Sequence, residues 1–182
     1  MPYARPPCGS AAAQARRSRS LRRLQPYSLS GDAPILKIIA FVDGACRGNP
    51  GPASYGVFMR KEDGEIIEIS GFLGTTTNNV AEYAGLLEAL ATAKSEGATD
   101  VEIVSDSLLL VQQMLGKYRV KHPNLVPLYE RARSMVRQFP KFRIRHTLRA
   151  GNKDADRLAN AALDRAARMP NDRWIERRRA DS

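Results

Sequence analysis

Cysteine, histidine and tryptophan are all scarce in this 182-residue chain: two Cys, two His and one Trp. Cys8 and Cys46 lie far apart and are too few for a disulfide scaffold or a cysteine-based zinc site, so a reducing environment suits the chain. No run approaches the ~18–20 consecutive apolar residues of a membrane span. No G-x-x-x-x-G-K-[ST] phosphate loop occurs, and the glycines of Gly44-Ala45-Cys46-Arg47-Gly48 do not complete G-x-G-x-x-G, which argues against a nucleotide-driven or dinucleotide enzyme. Ser and His are present without a nucleophile-elbow motif, so a hydrolase built on an activated serine is also disfavoured.

What the chain does have is positive charge, 29 Lys+Arg against 19 Asp+Glu, with an ordinary 43% of hydrophobic residues. The excess is uneven. Residues 1–33 carry six Arg and one acid, Asp32, with no apolar period, and read as a disordered basic arm. That arm lacks the apolar stretch of a secretory signal, but its Arg- and Ser-rich, acid-poor character overlaps organelle transit peptides. The expectation is a cytoplasmic protein, with an organelle address left open. Residues 34–169 read as one catalytic-sized domain and 170–182 as a basic C-terminal tail.

From Pro34 the pattern becomes regular. Ile35–Val42 is a buried strand, and Ser54–Arg60 and Glu65–Leu73 form a hairpin across Lys61-Glu62-Asp63-Gly64. Val80, Ala84, Leu87 and Ala91 follow helical spacing; a strand at Asp100–Ser105 leads into a helix over Ser107–Leu115. Pro127 opens a helix to Gln138, Phe142–Leu148 is a fifth strand, and Asn152 caps a last helix with an apolar face of Ala155, Leu158, Ala159, Ala162, Leu163 and Ala166. The order βββαβααβα predicts an α/β fold: a five-stranded mixed sheet, three antiparallel strands then two parallel, with helices on both faces.

This order has a chemical consequence. With the first strand pointing up, Asp43 at its end, Glu82 in the first turn of the following helix, Asp106 after the fourth strand and Asp156 early in the last helix all arrive at the top. That is the end where open α/β sheets place their ligands. Singly, each acid is an ordinary cap or turn residue. Four carboxylates together repel one another, and an oxygen-only donor set relieves that repulsion by taking hard divalent cations such as Mg²⁺. Two such ions ~3.5–4 Å apart suit phosphodiester cleavage.

The residues that carry this chemistry also form a recognisable pattern. Asp43-Gly44-Ala45-Cys46-Arg47-Gly48-Asn49-Pro50-Gly51, Thr76-Thr77-Asn78-Asn79-Val80-Ala81-Glu82-Tyr83, Ser105-Asp106-Ser107 and Asn152-Lys153-Asp154-Ala155-Asp156 closely resemble ribonuclease H, type 1, in order, over about residues 35–166. The resemblance implies an endonuclease that cuts the RNA strand of RNA–DNA hybrids with two Mg²⁺ ions, Mn²⁺ being the alternative, leaving 3′-hydroxyl and 5′-phosphate ends. It implies metal ligation by Asp43, Glu82, Asp106 and Asp156. It further implies groove contacts from Gly44, Cys46, Asn49, Asn78 and Asn79, and a DNA-phosphate contact from Thr77. The implied partner is the hybrid itself, the implied state a monomer.

Departures from the family pattern are visible too. Leu108 stands where many members carry Gln, and the loop Arg149-Ala150-Gly151 lacks a His, so Arg149 is the candidate to act on the phosphate in its place. His146 falls on a strand and reads as structural or surface. The tryptophan-bearing basic protrusion of some members is missing, but eleven Lys/Arg against one acid, Glu130, between Lys117 and Lys153 can form a positive face or simply a solvated helix surface. Two other readings compete: a different nuclease of the same fold, such as an exonuclease or junction resolvase, and a hybrid-binding protein that has lost catalysis. No metal ligand is missing from the pattern, which weighs against the latter.

Overall fold

A computed structural model of the chain describes residues 35–169 and 173–180; the basic arm, 1–33, lies outside the described residues. Its strands and helices, in order, are β1 (Lys37–Cys46), β2 (Gly51–Lys61), β3 (Ile66–Thr76), α1 (Asn78–Ser95), β4 (Asp100–Ser105), α2 (Leu108–Met114), α3 (Val126–Val136), β5 (Lys141–His146), α4 (Lys153–Ala166) and β6 (Trp174–Ala180). They form one six-stranded sheet in the order β5-β4-β1-β2-β3-β6. β4 runs parallel to β1 and β5 parallel to β4, while β2, β3 and β6 alternate in direction, so the mixed sheet and the strand directions expected from the sequence are observed.

The added strand is β6, which lies within the residues read as a C-terminal tail. It pairs antiparallel with β3 from Phe72↔Trp174 to Ile66↔Ala180. Its sequence, Trp-Ile-Glu-Arg-Arg-Arg-Ala, shows little apolar alternation because ion pairs fasten it instead. Arg177 reaches Glu88 on α1, and Arg179 reaches Glu65 at 3.2 Å and Glu96 at 2.5 Å.

The core is aliphatic, with Ile38, Val42, Val57, Met59, Ile69, Leu86, Leu90 and Ile103 fully buried. α4 buries five of the six residues of the face expected for it, Ala155, Leu158, Ala159, Ala162 and Leu163, at i, i+3, i+4, i+7 and i+8, while Ala166 in its last turn is only partly buried. α1 corrects the reading of its stripe. Ala81, Tyr83, Leu86, Ala89, Leu90 and Ala93 are buried, whereas Val80, Ala84 and Leu87 are only partly so and Ala91 is exposed. α1 packs on the sheet through one face and on α3 through another, so apolar residues nearly encircle it and a single stripe does not identify its deepest side.

Two glycines in the sheet set where the helices lie. A Cβ on Gly44 would sit 2.5 Å from the backbone nitrogen of Glu82 on α1; one on Gly56 would sit 2.2 Å from the Ala155 carbonyl of α4. Both are far inside ordinary van der Waals contact. Ser54, fully buried on β2, donates to the Ala159 carbonyl at 2.6 Å and adds a polar tie to α4. The helices that carry Glu82 and Asp156 are thus brought down onto β1 and β2 where side chains are absent or small.

Candidate functional site

The site opens where two neighbours of β1 part. β1 runs beside β4 only as far as Val42↔Ser105; beyond it β1 continues to Cys46 against β2 alone, while the chain of β4 turns off at Asp106. Asp43 therefore stands at a topological switch point, inside β1 rather than at its end. One cavity of about 290 Å³ gathers Asp43, Glu82, Asp106 and Asp156, four acids from separate segments, together with Gly44, Cys46, Asn78, Ser107, Arg149 and Asn160.

Each carboxylate is held differently. Asp43 is buried, 9% exposed, and its carboxyl is pushed up to about 7 by burial first and by the charges of Asp106 and Asp156 next, against the lowering effect of a hydrogen bond from the Gly44 backbone. Glu82 accepts from Ser107 Oγ at 2.5 Å and from Asn78 Nδ2 at 3.0 Å. Burial nonetheless pushes it up to about 7, the Ser107 bond opposing and the Asp106 charge assisting. Asp106 accepts from Asn152 Nδ2 at 2.9 Å. Asp156 is covered by the Arg149 guanidinium at 2.5 Å, which holds the arginine still more firmly in its charged form.

Asn152 is the residue the sequence reading understated. It begins α4, but its side chain makes no capping bond there. At 1% exposure it donates through Nδ2 to the Val42 carbonyl at 3.0 Å as well as to Asp106, and its own carbonyl accepts the Asp156 N–H at 3.1 Å. Its side chain thereby ties β1 beside Asp43 to the turn carrying Asp106, and its backbone carbonyl holds the first turn carrying Asp156. Ser107 likewise bridges elements, capping α2 through Leu110 N at 3.3 Å while donating to Glu82. No local pattern announces either link, because the partners lie 25 to 110 positions away.

The other sequence candidates fall into two groups. Gly44, Cys46, Asn78 and Arg149 line the cavity; Asn49, Thr77 and Asn79 adjoin it on the same segments. Asn49 Oδ1 accepts the Asn78 N–H at 3.2 Å, and Thr77 is the N-cap of α1, accepting from Val80 N at 3.4 Å. The Cys46 thiol donates to Gly48 O at 2.6 Å in the following loop and to Thr76 O at 3.3 Å at the end of β3. Gly44 has a packing reason for its missing side chain, the closeness of α1, beside any role at a groove. Leu108 is exposed, and His146 Nε2 lies 3.2 Å from the Asp106 carbonyl on the rim of the site.

The donor set fits hard cations. It is all oxygen, it gathers four acids, and two of them are driven toward protonation by burial first and by their neighbours' charge next. Among the described residues no three acidic, His or Cys side chains are drawn together into a finished cage, because Glu82, Asp106 and Asp156 are each turned toward a hydrogen-bond donor.

A mixed sheet in this order, with acids from β1, α1, the end of β4 and α4 around its switch point, defines the RNase H-like class of α/β proteins. The profile of the family described as "Reverse transcriptase-like" matches residues 41–162. The chain is 44% identical over 134 residues to the "Bifunctional protein Rv2228c" of Mycobacterium tuberculosis, covering 72% of this chain but only 37% of that protein's length. It is 42% identical to "Ribonuclease HI" of Halobacterium salinarum over 131 residues, 71% of this chain and 66% of the relative. The solved structure of LC11-RNase H1 in complex with an RNA/DNA hybrid superposes with a TM-score of 0.67 at 40% identity, covering 71% of this chain and 99% of that one. This chain belongs to the ribonuclease H family.

Proposed function

We propose that the chain hydrolyses the RNA strand of RNA–DNA hybrids endonucleolytically, leaving 3′-hydroxyl and 5′-phosphate ends. The observation that carries this reading is the convergence of four carboxylates from separate segments on one cavity, with two of them pushed up to about 7 by burial and then by mutual charge. Asp43, Glu82, Asp106 and Asp156 would hold two Mg²⁺ ions. Bound there, such ions activate a water molecule, stabilise the leaving oxygen and neutralise the phosphate.

The chain's own residues supply position and exclusion. Asn152 fixes Asp106 relative to β1, and Ser107 with Asn78 fixes Glu82. Arg149 sits on Asp156, where it must release one partner to serve another. Turned from the carboxylate, its guanidinium is free for a phosphate oxygen. Asn49, Thr77, Asn78 and Asn79 present amides and a hydroxyl beside the cavity, groups that suit 2′-hydroxyls and phosphates along an A-form minor groove. Among the described residues no helix is long and apolar enough to cross a membrane. We read the chain as acting as a monomer in the cytoplasm.

The test is product chemistry. A hybrid carrying different labels on its RNA and DNA strands, incubated with the chain and Mg²⁺, should lose only RNA, and the fragments should ligate through their 5′-phosphates to a 3′-hydroxyl acceptor without prior kinase treatment. Cleavage of the DNA strand, or of duplex DNA, would assign the site to another nuclease of this fold.

A further inference from the structure

We propose that the cleft between α4 and the β3–β6 edge of the sheet is a binding site for a small free oxyanion of the phosphate type, separate from the acidic cavity. The cleft has a volume of about 160 Å³, room for several water molecules or one such anion, and it shares no lining residue with the cavity of the four acids.

Sheet and helix build it from opposite sides. The register Glu68↔Arg178, Ser70↔Glu176 and Phe72↔Trp174 sets Glu68, Ser70, Trp174, Glu176 and Arg178 on one face, since alternate residues of a strand share a face. From α4, Arg157, Ala161 and Arg165 face them at i, i+4 and i+8, along a single stripe of the helix. A methyl group between two long side chains leaves a recess. Its back is apolar, made by the buried Leu158 and Ala162.

Inside this recess donors outnumber acceptors. Three guanidinium groups bring five N–H each, against two carboxylates. Glu176 is engaged by Arg178 at 2.8 Å and also by Arg165, and the two arginines, Arg178 foremost, hold its carboxyl below the ordinary carboxylate range. Glu68 answers Arg157 at 2.5 Å, while Asp154 reaches Arg157 only at 3.8 Å and lies outside the lining. The lining thus carries three positive charges against two negative ones.

An independent observation points the same way. Among the described residues two buried side-chain polar atoms have no hydrogen-bond partner: Asn152 Oδ1 beside the acids, and Nε1 of Trp174, a lining residue of this cleft. An indole N–H can only donate, and native interiors seldom leave such a donor unanswered. The Arg165 guanidinium lies across the indole, its central carbon 4.8 Å from the ring centroid. Acceptors are what the cleft lacks, and an oxyanion brings acceptors alone. Arginine forks take its oxygens in pairs. The existing ion pairs are no obstacle, because Arg165, Arg157 and Arg178 are 47%, 55% and 70% exposed, and pairs of that kind hold little free energy.

Trp174 is the single tryptophan of the chain, so its emission reads the cleft directly. The full chain in EDTA is titrated with inorganic phosphate at an ionic strength held constant with KCl, which fixes screening and keeps metal-borne phosphate out of the acidic cavity. Emission should change saturably. The half-point should rise about tenfold or more in Arg178→Gln, which removes charge-assisted donors and leaves Arg165 on the indole. Ala161→Leu, at an exposed helix position, fills the recess and should abolish the saturable change, whereas Arg131→Gln, exposed on α3, should keep the half-point within about twofold. Phosphate also stabilises proteins by exclusion from their surface, so the thermal midpoint is read as a difference: the parent should gain more from phosphate than Ala161→Leu does. An absent or unsaturable response in the parent, an equal half-point in the parent and either cleft variant, or an equal loss in Arg131→Gln overturns the proposal and leaves the cleft to water. Displacement of bound phosphate by RNA–DNA hybrid would assign the cleft to a nucleic-acid backbone and overturn it as a site for a free anion.

Discussion

Asp43→Asn should abolish hybrid cleavage and yet make the metal-free protein more stable at neutral pH. In the folded chain burial, then the charges of Asp106 and Asp156, push the Asp43 carboxyl from 3.8 to about 7. In the unfolded chain it titrates near ~3.9. Between those two values the folded state holds a proton that the unfolded state has released, so stability falls as pH rises from about 4 to about 7 and levels off above. At ~1.36 kcal/mol per pH unit the whole interval amounts to at most about 4 kcal/mol, shared among interacting acids. Asn matches the size of Asp and carries no charge, so the variant should gain about 2 kcal/mol at pH 8 and almost nothing at pH 4.5. Urea unfolding in EDTA at both pH values measures this. Addition of Mg²⁺ should then reverse the order, stabilising the unmutated chain and leaving the variant nearly unchanged. A variant less stable than its parent at pH 8 in EDTA, or one with an identical pH profile, would refute the electrostatic argument.

Three further substitutions probe the frame around the acids. Asn152→Ala removes the donor shared by Val42 and Asp106 and should cost about 1–3 kcal/mol in chemical denaturation, with slower hybrid turnover; an unaltered unfolding curve would contradict the tie. Gly44→Ala places a methyl against the α1 backbone and should destabilise by about 2 kcal/mol or more, read as a lowered melting temperature, whereas a neutral effect would show that α1 is free to move. Arg149→Ala uncovers Asp156 and should slow turnover without lowering stability; an unchanged steady-state rate would remove Arg149 from the chemistry.

Legibility in the sequence depended on how far each feature reaches along the chain. β4 lies at the residues its apolar run marks, Asp100–Ser105, and the β2–β3 hairpin turns through Gly64, whose φ of +93° suits glycine there. Strand order then carried Asp43, Glu82, Asp106 and Asp156 to one end by topology alone, a deduction that needed directions but no contacts. β6 was hidden because its stabilising partners, Glu88 on α1 and Glu65 and Glu96, are remote acids that leave no period in Trp174–Ala180. Asn152 looked like a helix cap because caps are local, whereas its bonds to Val42 and Asp106 span 110 and 46 positions. Which cations of the basic stretch are answered could not be read in advance, since Lys141 and Arg143 meet Asp100, and Arg145 meets Glu102, on the neighbouring strand.

The central claim is that four acids act as one site on the RNA strand, and single-turnover cleavage of a hybrid in Mg²⁺ by the unmutated chain and by Asp43→Asn, Glu82→Gln, Asp106→Asn and Asp156→Asn tests it most directly. The unmutated chain should cut RNA and spare DNA, with each amide variant slower by about a hundredfold or more. Any one of the four cutting at the unmutated rate would contradict the account.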